Sequence, residues 1–233
     1  NLFYQKRFPQ GFGGVVMKGW RWGASGKHPV VKDYIRIGQE TPLHDMFARW
    51  VEDGYQRVSS DVVQRSWRFF SRGAGRSELA CGLVRDSRDG VGRSFPLLIL
   101  GTGALPGWEQ RWEDVASACD PIWERMEYLA SKRLFDLSEF KGSLERLPIP
   151  VWPERVGQVK PVSEIPPLED GGVSVALQGT DRDEITAVLM RCRQVAPAVP
   201  EAVFIGGLME QPRLVVLTHT LNAVDFERLW QVV

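Results

Sequence analysis

WRFFSRGAGRSELACGLVRDSRDGVGRSFPLLIL, residues 67–100, decides the fold class. It holds three strand-like runs: Trp67 to Phe70, Leu79 to Val84, and Phe95 to Leu100. Gly73-Ala74-Gly75 joins the first two, and the polar run Asp86-Ser87-Arg88-Asp89-Gly90 leads to the third. Short, turn-rich connections join antiparallel neighbours, because a parallel pair needs a crossover of about a dozen residues or more. The stretch therefore predicts an antiparallel meander.

Upstream, Trp20 and Trp22 alternate within Gly19 to Ser25, which reads as a first strand. Thr41-Pro42 then opens a helix, with Thr as N-cap and Pro at the first helical position. Leu43, Met46, Phe47, Trp50, Val51 and Tyr55 give it one apolar face. A sheet must cover that face, so Phe47 and Trp50 are expected in one core with Phe95, Leu97 and Ile99.

Downstream, Trp108, Trp112, Val115, Ala116 and Cys119 form a helical stripe. Asp120-Pro121 repeats the cap-plus-proline start and predicts a second helix carrying Ile122, Met126, Leu129 and Ala130. Ser138 is expected to cap a shorter helix through Leu147. Residues 148–167 hold six of the fifteen prolines and read as a connector. Then come a strand over Val173 to Leu177, a helix capped by Asp181, a hairpin of Ala202 to Ile205 with Leu214 to Thr218, and a helix capped by Asn222.

The reading is an α+β protein with a mainly antiparallel sheet flanked by helices. Its C-terminal β-α-β-β-α unit either extends that sheet or forms a small second lobe. The expected divisions are a leader over 1–16, an N-terminal domain over 17–147, the connector over 148–172 and the C-terminal unit over 173–233. Asn1-Leu2-Phe3-Tyr4-Gln5 resembles a protease-site linker of altered order, and Met17 reads as the native start, so 1–16 carry no functional argument.

Composition narrows the function. Twenty-nine basic and twenty-nine acidic residues cancel, which gives no support for broad electrostatic binding to nucleic acid or anionic lipid. No apolar run approaches a membrane span. Cys81, Cys119 and Cys192 are too few and scattered for a disulfide framework or zinc site, and their odd number fits a reducing cytoplasm. Nine Trp is a high count. Most are expected as core anchors, with room for some in a partner interface, where Trp is enriched.

Chemical motifs fare poorly. Gly23-Ala24-Ser25-Gly26-Lys27 resembles a phosphate loop, but Arg21 stands at the first Gly position and His28 where a hydroxyl residue is needed. It is expected as a tight strand-to-loop turn. Gly101-Thr102-Gly103-Ala104-Leu105-Pro106-Gly107 has Pro106 where a dinucleotide fingerprint needs Gly, and reads as a flexible turn. His28, His44 and His219 have no nucleophile motif beside them. His44 is expected on the polar side of the first helix, and His219 at the surface of a strand end. Asp86, Arg88, Asp89 and Arg93 form an alternating-charge cluster. Two carboxylates so close could hold a metal or do acid–base work, but the interleaved Arg favours a turn whose carboxylates bond backbone N–H groups and Arg.

Two segments carry a resemblance. Gly26-Lys27-His28-Pro29-Val30-Val31-Lys32-Asp33-Tyr34 is similar to the Gly-Lys-Leu-Pro-Ser-x-Gly-Asp-Phe opening of the TagF family, also called ImpM, at Gly26, Lys27, Pro29 and Asp33. Tyr34 replaces Phe; His28, Val30 and Lys32 depart. Trp50 matches a helix Trp, Trp67-Arg68-Phe69 a Trp-Arg-Phe strand, and Gly82-Leu83-Val84 a following strand. Asp89, Val91, Gly92, Arg93, Phe95, Pro96 and Leu97 match Asp-x-Val-Gly-Arg-x-Phe-Pro-Leu. The resemblance covers residues 20 to about 135.

It implies a cytoplasmic accessory protein of bacterial type VI secretion, without catalytic residues or cofactor. Such a protein restrains assembly or activation after translation by contact with secretion components, in the best-known setting a forkhead-associated scaffold protein. The interaction residues it points to are Gly26, Lys27, Pro29, Asp33, Trp67, Asp89, Gly92, Arg93, Phe95 and Pro96. Lys27 and Arg93 are the exposed-type side chains among them. Pairing of Arg93 with Asp89 or Asp33 is the structural alternative. The rival function is an enzyme or nucleotide sensor using Lys27, Asp33, Asp89 and Arg93.

Overall fold

The computed structural model describes residues 19–39, 41–58, 64–75, 77–131, 136–153 and 171–231. The expected leader lies outside the described residues, as does most of the proline-rich connector. Among these residues, eight strands form one antiparallel sheet: β1 Arg21–Lys27, β2 Tyr34–Gly38, β3 Arg65–Arg72, β4 Glu78–Arg85, β5 Leu97–Ala104, β6 Gly172–Ala176, β7 Ala202–Leu208 and β8 Gln211–Leu217. Their order is β2-β1-β5-β4-β3-β7-β8-β6. The meander β3-β4-β5 sits near the centre. β7 pairs with β3, so the C-terminal unit extends the sheet. One end is a row of partners running Ile35, Gly26, Leu97, Arg85, Ser66 and Gly207.

Helices cover both faces. Successive strand residues point to opposite sides. Thus Leu97 and Ile99 of β5 join the core under α2 Val115–Ser131, α3 Leu137–Glu145 and α4 Arg182–Val195. Leu98 and Leu100 join the core under α1 Pro42–Tyr55 and α5 Ala223–Gln231. The expected single core is therefore two. Phe47 and Trp50 lie on the opposite side of the sheet from Leu97 and Ile99, and Phe95 only half-buries at the rim.

Helix α1 starts where its sequence predicts: Thr41 Oγ1 accepts the His44 N–H at 3.1 Å, and Pro42 opens the helix. His44, however, is buried, because the α1 face turned to the sheet is wider than its apolar stripe. Asp181 caps α4, accepting the Asp183 and Glu184 N–H groups.

Other expectations change for identifiable reasons. Trp108–Asp114 is a 3-10 segment, and α2 runs unbroken through Pro121. A proline there forfeits one helical bond. Ile122, Trp123 and Met126, all buried immediately after it, hold the helix in place. Asp136, not Ser138, caps α3, accepting the Glu139 N–H at 2.8 Å. Gly101-Thr102-Gly103 is strand, not turn. A Cβ on Gly101 would lie 2.0 Å from the Trp22 ring, so the missing side chains there and at Gly103 admit the stacked Trp22 and Trp20. Gly23 to Lys27 is likewise strand, paired on both sides as far as Gly26. The sequence reading contains no counterpart of β2, a five-residue edge strand with Arg36 at its centre.

Candidate functional site

The two matched segments are neighbours because β1 pairs with β5. Gly26 has φ +122°, and a Cβ there would lie 2.0 Å from the Pro96 carbonyl oxygen. Only glycine permits that approach. The Gly90 N–H donates to the Val31 carbonyl at 2.6 Å, fastening the second segment's turn to the first segment's loop.

Asp89 is the hub of this junction, with 3% of its surface exposed. Its Oδ1 accepts the backbone N–H of Val91 at 3.1 Å and of Arg93 at 2.9 Å. Its Oδ2 accepts Arg93 Nε at 2.7 Å and faces Lys27 Nζ at 3.4 Å. Gly92, at φ +90°, lets the chain turn back so that the Arg93 N–H reaches the carboxylate. Arg93 then donates through Nη2 to the Lys32 carbonyl at 2.6 Å and lies 3.7 Å from Asp33. Burial pushes the Asp89 pKa up, but the Arg93 and Val91 donors and Lys27 outweigh it and bring the value down to about 2.

This arrangement distributes the expected residues unevenly. Gly26, Lys27, Asp33, Asp89, Gly92 and Arg93 form one interlocked unit, with both alternative Arg93 pairings present at once. Pro96 is buried at its base, and Pro29 is exposed. Phe95 lies edge-on to Tyr34 at 5.6 Å and to Tyr55 at 5.2 Å between ring centroids. Tyr34 and Val91 are exposed beside it. Trp67 lies elsewhere: it is fully buried on β3, under α1 and α5.

The neighbouring carboxylate has a different task. Asp86 Oδ1 accepts Trp230 Nε1 and its Oδ2 accepts the Arg65 N–H, each at 2.9 Å. Burial raises its pKa, opposed by those two bonds. His219 Nε2 meets the buried Asp225 at 2.9 Å, tying the end of β8 to the start of α5. His28 is a buried residue whose role the sequence did not reveal. Its Nδ1 accepts the Val30 N–H at 3.2 Å, its ring lies 4.9 Å from that of Phe140, and burial pushes its pKa down.

Chemically, the hub holds a loop shape. A general base needs a free lone pair and a pKa near the working pH; Asp89 has four donors and a pKa of about 2. Among the described residues, no group of three or more His, Cys, Asp or Glu side chains could hold a metal ion. A groove of about 280 Å³ between β2 and α1 is lined by Tyr34, Arg36, Asp45, Ala48, Arg49 and Glu52, where Arg36 pairs with Asp45. No helix among the described residues is long and apolar enough to cross a membrane.

The family model of the TagF N-terminal domain, type VI secretion system-associated, matches residues 23–147, more than half of the chain. No curated protein matches the chain. Among solved structures, PA0076 from Pseudomonas aeruginosa PAO1 is similar in fold, with a TM-score of 0.57 and 17% identity over 89% of this chain and 93% of that one. The matched span contains both interlocked segments, strands β2–β5 and β1 from Gly23 onward. The chain belongs to the TagF family of type VI secretion system-associated proteins.

Proposed function

We propose that this protein restrains assembly or activation of a type VI secretion system after translation, in the cytoplasm, by protein–protein contact and without turnover. The observation that carries this reading is the saturation of Asp89. The charged residues of the two motifs bind one another and fix the backbone that displays Pro29, Tyr34, Val91 and the rim of Phe95. A rigid loop surface of this kind suits recognition of a partner, because loops vary in shape without disturbing the core. The rival, an enzyme or nucleotide sensor at Lys27, Asp33, Asp89 and Arg93, would need at least one of these groups uncommitted.

The partner we propose is a forkhead-associated scaffold protein of the secretion system, the partner implied by the TagF resemblance. The test is capture of that scaffold by the full chain, compared with a double change of Lys27 and Arg93 to Ala. A folded double variant is expected to lose both capture and repression of secretion. Capture at native strength would move the binding face away from the motif end. Metal-dependent hydrolysis of nucleotides, esters or phosphoesters that disappears in Asp89→Ala would replace the contact reading with the rival.

A further inference from the structure

Of the guanidiniums at or near the motif end of the sheet, Arg93 and Arg68 are matched and Arg85 is not. Arg93 is held by Asp89 and the Lys32 carbonyl. Arg68 forms a fork with both oxygens of Glu127, at 2.7 and 2.8 Å, and reaches Asp120 at 3.1 Å. Arg85, at the end of β4, is half-buried. Its side chain donates no hydrogen bond and makes no ion pair among the described residues. The carboxylates whose charge it feels are Glu127 and Asp86. Glu127 is occupied by Arg68, and Asp86 by Trp230 and Arg65. Burial accordingly pushes the Arg85 pKa down, with those two carboxylates opposing the shift.

Directly across the β3–β4 ladder from Arg85 stands Ser66. Opposite residues of an antiparallel pair share a face, so the two side chains are neighbours. Ser66 Oγ is shielded and also has no hydrogen-bond partner. The next residue along the row is Gly207, which adds no side chain. Buried polar groups are normally bonded. Ser66 Oγ is a buried exception, and the half-buried Arg85 guanidinium beside it has no protein acceptor, so the pair marks a place where an acceptor can be added.

We propose that Arg85 and Ser66 form a receptor for a single carboxylate carried by an acidic segment of a protein partner. The guanidinium fork fits a carboxylate in two-point fashion. Glu127 and Asp86 act on Arg85 without bonding it, so its fork has room for one contacting carboxylate. A dianionic phosphate would meet the nearby Glu127 and Asp86 with twice the repulsion, which favours the carboxylate. Seated on Arg85, a carboxylate also brings an acceptor oxygen toward Ser66 Oγ. The inference rests on the contact reading above and names the chemistry of the partner.

The test follows the arginine Nε–Hε resonances of the full chain by NMR at constant ionic strength. The probes are sodium acetate, a capped glutamate-rich pentapeptide and inorganic phosphate, each against sodium chloride. The Arg85 resonance is expected to shift saturably with acetate and peptide while those of Arg68 and Arg93 stay in place. Peptide binding should weaken at least about tenfold in Arg85→Met and less in Arg85→Lys. It should also weaken in Ser66→Ala.

Because an unmatched half-buried charge does not stabilise the fold, Arg85→Met should melt at or above the wild-type temperature. An Arg85 resonance that moves no further than in chloride overturns the inference. So does one that responds more strongly to phosphate, or a marked fall in the melting temperature of Arg85→Met. If the wild-type chain captures no scaffold protein, the regulatory reading fails while the titration still reports on Arg85. If the titration is silent and capture persists, only the Arg85 receptor fails.

Discussion

Asp86 and Asp89 stand three residues apart in one polar run, and the structure gives them opposite tasks. Asp89 locks a surface loop to a second loop and is surrounded by two cations and two backbone N–H groups. Asp86 anchors an aromatic layer: it receives the Trp230 indole, which stacks on Phe226 at 4.2 Å, and Phe226 in turn touches Trp50 at 5.1 Å. The Arg93 and Val91 N–H groups, with the Arg93 and Lys27 side chains, hold the first pKa down to about 2. At the second, burial raises the pKa against the Trp230 and Arg65 N–H bonds and the more distant charges of Arg65 and Arg85. What looks in sequence like one acidic cluster is thus two devices. One shapes the candidate contact surface, and the other fastens the C-terminal helix to the family domain.

The comparison can be broken from the aromatic side first. Trp50 is buried and donates its indole N–H to the Asn222 carbonyl at 2.8 Å. Trp50→Ala should destabilise by about 3–5 kcal/mol, measured by denaturant unfolding. An unchanged midpoint would take α1 out of the core. On the loop side, Gly26→Ala places a Cβ against the Pro96 carbonyl at positive φ. The backbone strain alone should cost about 1–3 kcal/mol, and the protein should lose scaffold capture more steeply than stability. Asp86→Ala leaves the Trp230 indole and Arg65 N–H without their acceptor, a loss of about 1–3 kcal/mol. It should leave capture intact, which separates the anchor from the contact surface. The smallest effect is expected at the far side of α1, where Thr41→Ala removes an N-cap worth about 1 kcal/mol.

The two acids also titrate with opposite signs. The Asp89 pKa is lowered from 3.8 to about 2, so its stabilisation is fully present above 3.8 and is lost as pH falls toward 2. The Asp86 pKa is raised, so the folded state binds more protons and stability falls as pH rises from 3.8 through the raised value. Asp89→Asn should therefore flatten the acid limb of a stability–pH curve, and Asp86→Asn should steepen it. Urea midpoints across that range check both.

Local chemistry made much of this legible in the sequence. Thr41-Pro42 announced α1, and the short turns between residues 67 and 100 announced the antiparallel meander. Packing supplied the rest. Pro121 sits in a helix because Ile122, Trp123 and Met126 bury on α2's inner face, information that no local cap rule holds. The glycines at 101 and 103 read as a turn until Trp20 and Trp22 are placed against them. Their shared spacing of two residues was the available signal. Strand β2 escaped because Tyr34–Gly38 is a short edge strand ordered by its hairpin pairing with β1. At the candidate site, the residue types were visible, but convergence of Lys27 and Arg93 on Asp89 depends on the β1–β5 register. Arg85 and Ser66 had no signal at all, since a missing partner shows only in three dimensions.

The central claim is that Asp89 is a lock that shapes the contact surface and does not act as an acid–base group. The most direct measurement is the NMR titration of the Asp89 side-chain carboxyl carbon in the folded protein. A midpoint of about 2, with the Val91 and Arg93 amide signals moving in step, is the predicted result. A midpoint at or above 3.8, with those amides unmoved, would mean a carboxylate free for chemistry and would contradict the account.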